Sequence, residues 1–223
     1  MKIASFQKNS FIDYPGKIAS VIFLGECNLR CYYCHNHQLI DSINELDFPL
    51  EELKNQVGFI DGVVITGGEP TLHPSLFYMI GEIKKLGLLV KVDTNGTNPE
   101  ALEGLAKMVD YVAMDVKAPL LKYKDIVGCE VQDEVERSLR YLIKQDKVDY
   151  QFRITLAPVL CEEDIYEIAR LINGAKCVQL QQFVPNEFSN SHKMVLLPYS
   201  KKDAERFAAI LKKSVKDVVL RGF

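Results

Sequence analysis

The chain has 223 residues, of which 48% are hydrophobic and 26% are charged, and its formal net charge at pH 7 is -3. This length fits one well-buried domain spanning residues 1–223, and the slight acidity without a basic block argues against nucleic acid as a main partner. Because no apolar run approaches the roughly 18 residues of a membrane span and no signal peptide opens the chain, we expect a cytoplasmic protein that does not bind membranes.

The first predicted elements are two strands joined by a tight turn. Residues 2–11 alternate between apolar and polar side chains, and the segment Asp13-Tyr14-Pro15-Gly16 that follows is a strong turn signal. The apolar run Ile18 to Leu24 is predicted as the first buried strand. It leads directly into a loop that carries three cysteines within eight residues, and we expect the rest of the chain to be organised around this loop.

The loop cysteines are Cys27, Cys31 and Cys34. Their spacing suits a single compact centre and is too tight for a disulfide framework, so the loop predicts a soft metal or an iron-sulfur cluster. Three cysteines on a cubane cluster leave one iron open, whereas a structural zinc site needs four ligands. His35 or His37 could complete a zinc site, so both centres remain possible by spacing, with the cluster favoured.

Beyond this loop, helical and strand patterns alternate in regular order. Strands are predicted near residues 63–66, 88–92, 111–116, 152–156 and 177–184, and helices near 50–57, 76–87, 98–109, 135–143, 165–172 and 200–211. Such alternation indicates an α/β domain with a mainly parallel sheet. Counting the first buried strand, six units fall short of the eight of a closed barrel, so the predicted fold is an open, partial (β/α)6 TIM barrel.

Polar motifs follow four successive strands of this predicted barrel. They are the cysteine loop, Gly67-Gly68-Glu69-Pro70, Asp93-Thr94-Asn95-Gly96, and the pair Asp115 and Lys117. Each motif alone could be an ordinary turn or helix cap. Because loops from parallel strands converge at the carboxyl ends of the strands, four in succession predict a functional site at that edge.

Several residues in these motifs have side chains suited to binding. Two glycines at 67 and 68 would let a ligand approach the backbone, and Glu69 could accept hydrogen bonds from an ammonium group. Asp93 and Asp115 are expected to face each other across neighbouring strands, where they would repel unless they share a cation or hydroxyl groups. The alternative is two solvated loop acids. Arg153 is a weaker candidate for the same pocket, because an ion-paired scaffold arginine is equally consistent with its position.

The pattern CxxxCxxC with Tyr33 before the last cysteine, directly after a strand, resembles the signature of the radical S-adenosylmethionine (SAM) enzymes. This resemblance implies that Cys27, Cys31 and Cys34 hold three irons of a 4Fe-4S cluster, and that the fourth iron takes the amino and carboxylate groups of SAM. It further implies a set of cofactor-binding residues: Tyr33, Gly67, Gly68, Glu69, Asp93, Asn95, Asp115, Lys117 and Arg153.

Three further segments narrow the resemblance to the activases of glycyl radical enzymes. Asp13 to Gly16, His35-Asn36 and Met114 to Lys117 are similar to segments of these activases, above all to anaerobic ribonucleoside-triphosphate reductase activating proteins. The resemblance implies a 5'-deoxyadenosyl radical that takes a hydrogen from a glycine of a partner enzyme, with no catalytic residue beyond the cluster and SAM. It also implies flavodoxin or ferredoxin as electron donor and, in one branch, a monovalent cation beside Asp93 and Asp115.

Two other functions remain as alternatives at this point. One is a radical SAM enzyme that acts on a small molecule, similar to the 7-carboxy-7-deazaguanine synthases. The other is a non-catalytic iron-sulfur or zinc module. The motifs at residues 67–70 and 93–96 argue against the second alternative, because a passive metal module would not need them.

Overall fold

The computed structural model describes residues 3–40, 46–185 and 197–223, and eight strands in these ranges form one sheet in chain order. The strands are β1 (Ile3–Tyr14), β2 (Lys17–Leu24), β3 (Gly62–Gly67), β4 (Leu89–Thr94), β5 (Tyr111–Asp115), β6 (Asp149–Leu156), β7 (Cys177–Gln182) and β8 (Asp217–Arg221). Strand β1 pairs antiparallel with β2, and every later neighbouring pair is parallel.

Helices lie between most of the parallel strands. They are α1 (His37–Ile40), α2 (Leu50–Gln56), α3 (Leu76–Lys85), α4 (Pro99–Leu105), α5 (Tyr123–Val127), α6 (Gln132–Lys144), α7 (Glu162–Leu171) and α8 (Lys201–Leu211). This architecture confirms the predicted α/β fold with a partial barrel. Within the described ranges, no helix has the length and apolar character needed to cross a membrane.

The structure adds one parallel strand that the sequence pattern did not indicate. Strand β8 follows α8 and pairs with β7 from Cys177 opposite Asp217 to Gln181 opposite Arg221. Its five residues are exposed or half-buried, and only three of them are apolar. A strand that lies at the edge of a sheet and buries so little lacks the continuous apolar run by which the other parallel strands were predicted.

The main hydrophobic core lies between the outer face of the sheet and the helices. Ile65, Val92 and Phe152 of the strands belong to the same buried cluster as Ile80 of α3 and Leu139 of α6. The helical residues recur at the spacing of one helix face, which is what places them against the sheet. The helices thereby fix the barrel wall from outside and leave the inner face of the strands for other side chains.

The inner face is apolar at one end and charged at the other. Val64 belongs to a small cluster on this face and is in register with Lys91 of β4. Residues two apart on a strand share a face, as do residues in register on neighbouring strands. Asp93 therefore shares the inner face with Lys91, and Asp115 of β5 shares it with Arg153 of β6, opposite which it lies in register.

Candidate active site

A cavity of about 370 Å³ opens where the parallel strands end, and it collects almost all of the predicted site residues. All of them except Glu69 line it: Cys27, Cys31, Tyr33, Cys34, Gly67, Gly68, Asp93, Asn95, Asp115, Lys117 and Arg153. These residues come from loops and strand ends more than a hundred positions apart. The carboxyl edge of the sheet therefore brings the four polar motifs together, as the parallel arrangement predicts.

The cysteine loop is held by backbone hydrogen bonds at both ends. Glu26, directly before Cys27, has a φ of 60°, and among the described residues it alone has positive φ without being glycine. Its carbonyl accepts from the Glu69 N–H at 2.8 Å, which ties the start of the loop to the end of β3. Further along, the Cys34 N–H donates to the Cys31 carbonyl at 3.0 Å. These bonds fix the turn that presents the three thiols to the cavity.

The three thiols lie in a mostly buried environment beside a cation. Burial raises the pKa of Cys31 to about 12, and it also raises the pKa of Cys27 and Cys34. The positive charge of Lys117 opposes this rise at all three thiols. Thiols must lose their protons to bind metal, so a nearby cation favours the bound state. Three thiols on one loop that face a shared cavity fit a 4Fe-4S cluster with one iron left for another ligand.

Gly67 packs against the backbone at the end of β2, and Gly68 packs against the backbone at the start of the cysteine loop. A Cβ atom at Gly68 would lie 1.8 Å from the Glu26 carbonyl oxygen, and one at Gly67 would lie 2.3 Å from the Leu24 carbonyl oxygen. Gly67 also has a φ of 117°, which favours glycine. The sequence suggested that these glycines give a ligand access to the backbone. The structure adds a second reason, since only glycine lets β3 approach the cysteine loop this closely.

Glu69 lies behind the cavity wall and is fully buried. Its Oε1 accepts from the Thr71 N–H at 3.1 Å and from the Thr94 hydroxyl at 2.7 Å, and its Oε2 accepts from the Asn95 N–H at 2.7 Å. Burial raises the pKa of Glu69, and these donors work against that rise. The carboxylate therefore holds the loop after β4 in place. Its predicted contact with an ammonium group stays a prediction.

Asn95 connects the loop after β4, which Glu69 holds in place, to the cysteine loop. Its side-chain amide donates to the Asn28 side chain at 2.9 Å and lies 4.0 Å from the Cys27 sulfur. Hydrogen bonds to cluster sulfurs are one of the ways in which a protein tunes a cluster's reduction potential. Glu69 thus fixes Asn95, and Asn95 in turn lies against a predicted ligand.

Asp93 and Asp115 share a cation that belongs to the chain itself. Arg153 donates to Asp115 through Nε at 2.5 Å and Nη2 at 3.2 Å, and to Asp93 through Nη1 at 2.9 Å. Burial disfavours the charged form of both acids, but Arg153 and neighbouring lysines outweigh it and hold the pKa of each carboxyl below its usual range. The two acids thus share the guanidinium group of Arg153, which relieves the repulsion expected between them.

Two lysines extend this arrangement at either end. Lys117 donates to Asp115 at 2.8 Å, and Lys91 pairs with Asp93. The sequence analysis missed Lys91. The signal that could have found it is a lysine within the apolar run 88–92, because a buried strand rarely holds a charge without a partner.

Other lining residues that sequence analysis did not identify come from five different strands and the loop after β7. They include Phe23, Thr66, Thr155, Gln181, Phe183 and Arg221. Tyr33, which the cysteine motif did predict, is buried and lies with its hydroxyl 3.5 Å from the Lys117 carbonyl oxygen. The cavity wall is therefore part apolar and part charged.

Comparison with known proteins agrees with this geometry. The radical SAM superfamily matches residues 21–172. A protein of Methanocaldococcus jannaschii named as a glycyl-radical enzyme activating enzyme is 38% identical, with 95% of this chain and 92% of that protein covered. The pyruvate formate-lyase-activating enzyme of Clostridium pasteurianum is 27% identical, with 92% of this chain and 90% of that protein covered.

A solved structure supports the fold. Streptococcus suis SuiB bound to S-adenosylmethionine superposes with a TM-score of 0.69 at 14% identity, over 88% of this chain and 48% of that one. At this level of identity the likeness concerns the barrel alone.

Proposed function

The chain belongs to the radical SAM superfamily and, within it, to the glycyl-radical enzyme activating enzymes; from this premise we propose that it installs a glycyl radical on an anaerobic ribonucleoside-triphosphate reductase. Enzymes of this superfamily use a 4Fe-4S cluster and SAM. The choice of partner follows the likeness of residues 13–16, 35–36 and 114–117 to the activating proteins of that reductase.

Different residues around the cavity are suited to binding the cluster and to binding SAM. Cys27, Cys31 and Cys34 would hold the cluster, and the cluster with SAM supplies the one-electron chemistry that removes a hydrogen atom from glycine. Lys117 and Arg153 place positive charge on the cavity wall, where it suits the carboxylate of SAM. Apolar lining residues on either side restrict the access of water.

The observation that carries the choice of a protein substrate is the extent of the cavity. It reaches from the cysteine loop to Asp13 on β1 and Arg221 on β8, whose charged atoms are 3.8 Å apart. In the described part of the chain, each of these two strands pairs with one neighbour only. No strand pairing therefore closes the sheet along this side in the described ranges, where the Asp13–Arg221 ion pair spans the rim. An open side suits a loop of another protein, whereas a small-molecule enzyme is expected to close its own pocket.

The rim of this opening also carries apolar side chains. Phe11 and Ile12, next to Asp13, are 74% and 69% exposed. Exposed apolar groups beside a site are typical of surfaces that contact another protein. A loop that enters the opening must leave its own fold, so we expect binding to be transient and coupled to local unfolding of the partner.

Electrons for the cluster must come from another protein, and we propose a flavodoxin or a ferredoxin. The cysteine loop supports this, because its residues Asn28 and Arg30 are exposed while Leu29 between them is buried. A donor that docks on this outer side of the loop would come close to the cluster without entering the cavity. Separate approaches for donor and substrate would let both act in one cycle.

The test is activation of a reductase in vitro. The reconstituted protein, reduced and supplied with SAM, should produce a glycyl radical signal by electron paramagnetic resonance when it is mixed with an anaerobic ribonucleotide reductase from the same cell. The matched control is a reductase in which the radical-bearing glycine is replaced by alanine, which should give no signal. Silence with every glycyl radical enzyme of that cell, together with turnover of a small substrate, would overturn the proposal.

A further inference from the structure

Five side chains on the inner face form a row of alternating charges. Lys91 pairs with Asp93, Asp93 with Arg153, Arg153 with Asp115, and Asp115 with Lys117. Three cations thus face two carboxylates, and the row carries one surplus positive charge. Because the row is largely desolvated, this surplus acts on a ligand far more strongly than a surface charge would.

The two ends of the row differ in burial. Lys117 and Arg153 are 17% and 19% exposed and line the cavity, whereas Lys91 is only 2% exposed and lies one layer deeper in the barrel. Lys91 therefore has no direct access to a ligand. It acts on the cavity through the Asp93 carboxylate, whose other oxygen accepts from Arg153.

We propose that Lys91 is a positioning residue of the SAM site and that, with Arg153, it supplies the positive charge that Asp93 and Asp115 would otherwise take from a dissolved monovalent cation. The SAM site of this chain then works without potassium or any similar ion. This inference rests on the proposed function, because it assigns the row to the SAM site. It goes further in naming a residue outside the cavity and a property of the site, independence from monovalent cations.

The physical reason is the balance of charge around Asp93. Without Lys91 the row is neutral, and one oxygen of a buried carboxylate loses its charged partner. An unpaired buried charge is costly, so the Asp93 carboxylate either turns away from Arg153 or recruits a cation from solution. The first change reduces the attraction for the SAM carboxylate, whereas a recruited cation restores it where there is room for the ion. The cysteine ligands, on another loop, stay in place in both cases.

Two substitutions separate charge from volume. Lys91→Met keeps the length of the side chain but removes its charge, and it leaves no room for an ion. Lys91→Ala removes both the charge and the bulk, so that a potassium or ammonium ion can take the place of the lysine nitrogen. We expect both variants to keep the iron content of the wild-type protein and to bind SAM about tenfold more weakly, the effect of one lost charge-assisted hydrogen bond.

The experiment measures the dissociation constant of SAM for the reconstituted protein at constant ionic strength, in potassium, ammonium or tetramethylammonium chloride. Wild-type affinity should be the same in all three salts, and Lys91→Met should remain weak in all three. Lys91→Ala should regain at least threefold in potassium or ammonium but not in tetramethylammonium, which is too large for the site. Rescue by a small cation is a result that a purely structural role of Lys91 would not give.

Three results would count against this reasoning. Wild-type affinity that falls in tetramethylammonium chloride would overturn the proposed independence from cations. Wild-type affinity in Lys91→Met, together with weak binding in Lys91→Ala that no salt rescues, would show that Lys91 serves packing alone. A wild-type protein with a full cluster that binds no SAM in any salt would instead refute the proposed function, so the two failures are distinguishable.

Discussion

Replacement of Gly68 by alanine tests whether β3 must lie directly against the cysteine loop. The added Cβ atom would lie 1.8 Å from the carbonyl oxygen of Glu26 and 2.6 Å from its carbonyl carbon. Both are backbone atoms, which cannot rotate away as a side chain would. The two segments must therefore separate by more than about 1 Å to reach ordinary contact distance.

The loss of stability follows from the backbone hydrogen bonds that this separation breaks. The Gly68 N–H donates to the Leu24 carbonyl and the Glu69 N–H to the Glu26 carbonyl, each at 2.8 Å. A buried backbone group left unsatisfied costs about 1–3 kcal/mol, and overpacking costs about 1–3 kcal/mol more. We expect Gly68→Ala to lower the free energy of unfolding by at least about 3 kcal/mol, a large part of the 5–15 kcal/mol typical of a domain.

The assay is urea unfolding of the protein under anaerobic conditions, with iron content after reconstitution as a second measurement. The matched control is Gly81→Ala in α3, where no heavy atom lies within 4 Å of the added Cβ. That variant should be more stable by about 0.4–1 kcal/mol, because alanine favours a helix over glycine. If Gly68→Ala is as stable as Gly81→Ala and still binds full iron, the close contact between β3 and the cysteine loop is not required for stability or for binding the cluster.

Further predictions concern the other parts of the site. Alanine at any loop cysteine should abolish the cluster, because two thiolates do not retain it, whereas the other three cysteines should be dispensable. Iron and sulfide assays on Cys27→Ala, Cys31→Ala, Cys34→Ala, Cys129→Ala, Cys161→Ala and Cys177→Ala decide this, and full iron content in Cys31→Ala would contradict it. Asp93→Ala and Asp115→Ala should weaken SAM binding with the iron content intact, and calorimetry should find non-additive losses because Arg153 pairs with both acids; additive losses would point to independent sites. Because Arg153 and Lys117 hold the pKa of Asp115 low in spite of burial, its stabilising effect should be complete above pH about 4 and should disappear as the pH falls through the lower folded-state pKa. Asp115→Asn should then lower the free energy of unfolding at pH 7 and much less in strong acid, and an equal loss at both would refute the ion pairing. Glu69→Gln should lower the free energy of unfolding, measured in urea, by about 2 kcal/mol, since an amide nitrogen cannot accept from the Asn95 N–H.

The sequence by itself determined the features that depend on residues close together in the chain. The spacing of Cys27, Cys31 and Cys34 places three thiols on one loop whatever the rest of the fold does. The apolar run 18–24 predicted β2, which the structure bounds at Lys17–Leu24, and the alternation of periods predicted the α/β class. Since parallel strands end at one edge, chain order alone also predicted that the four polar motifs converge there.

What only the tertiary structure decided is which charged groups meet. Arg153 lies 60 residues from Asp93, and their contact depends on the register of β4, β5 and β6. A shift of one residue in that register would turn each of these side chains to the other face of the sheet. The bridging of Asp93 and Asp115 by Arg153, and the partnership of Lys91 with Asp93, were therefore not predictable from either segment alone.

The role of Glu69 depended on tertiary structure for the same reason. In the sequence it is an acid next to two glycines, free to point towards a ligand. In the fold its carboxylate turns inward, because the N–H of Asn95 and the hydroxyl of Thr94, on a strand 25 residues later, supply the hydrogen bonds that a buried charge requires. Local sequence determines which groups a segment carries, but the partners that satisfy a buried charge are set by the packing of distant strands.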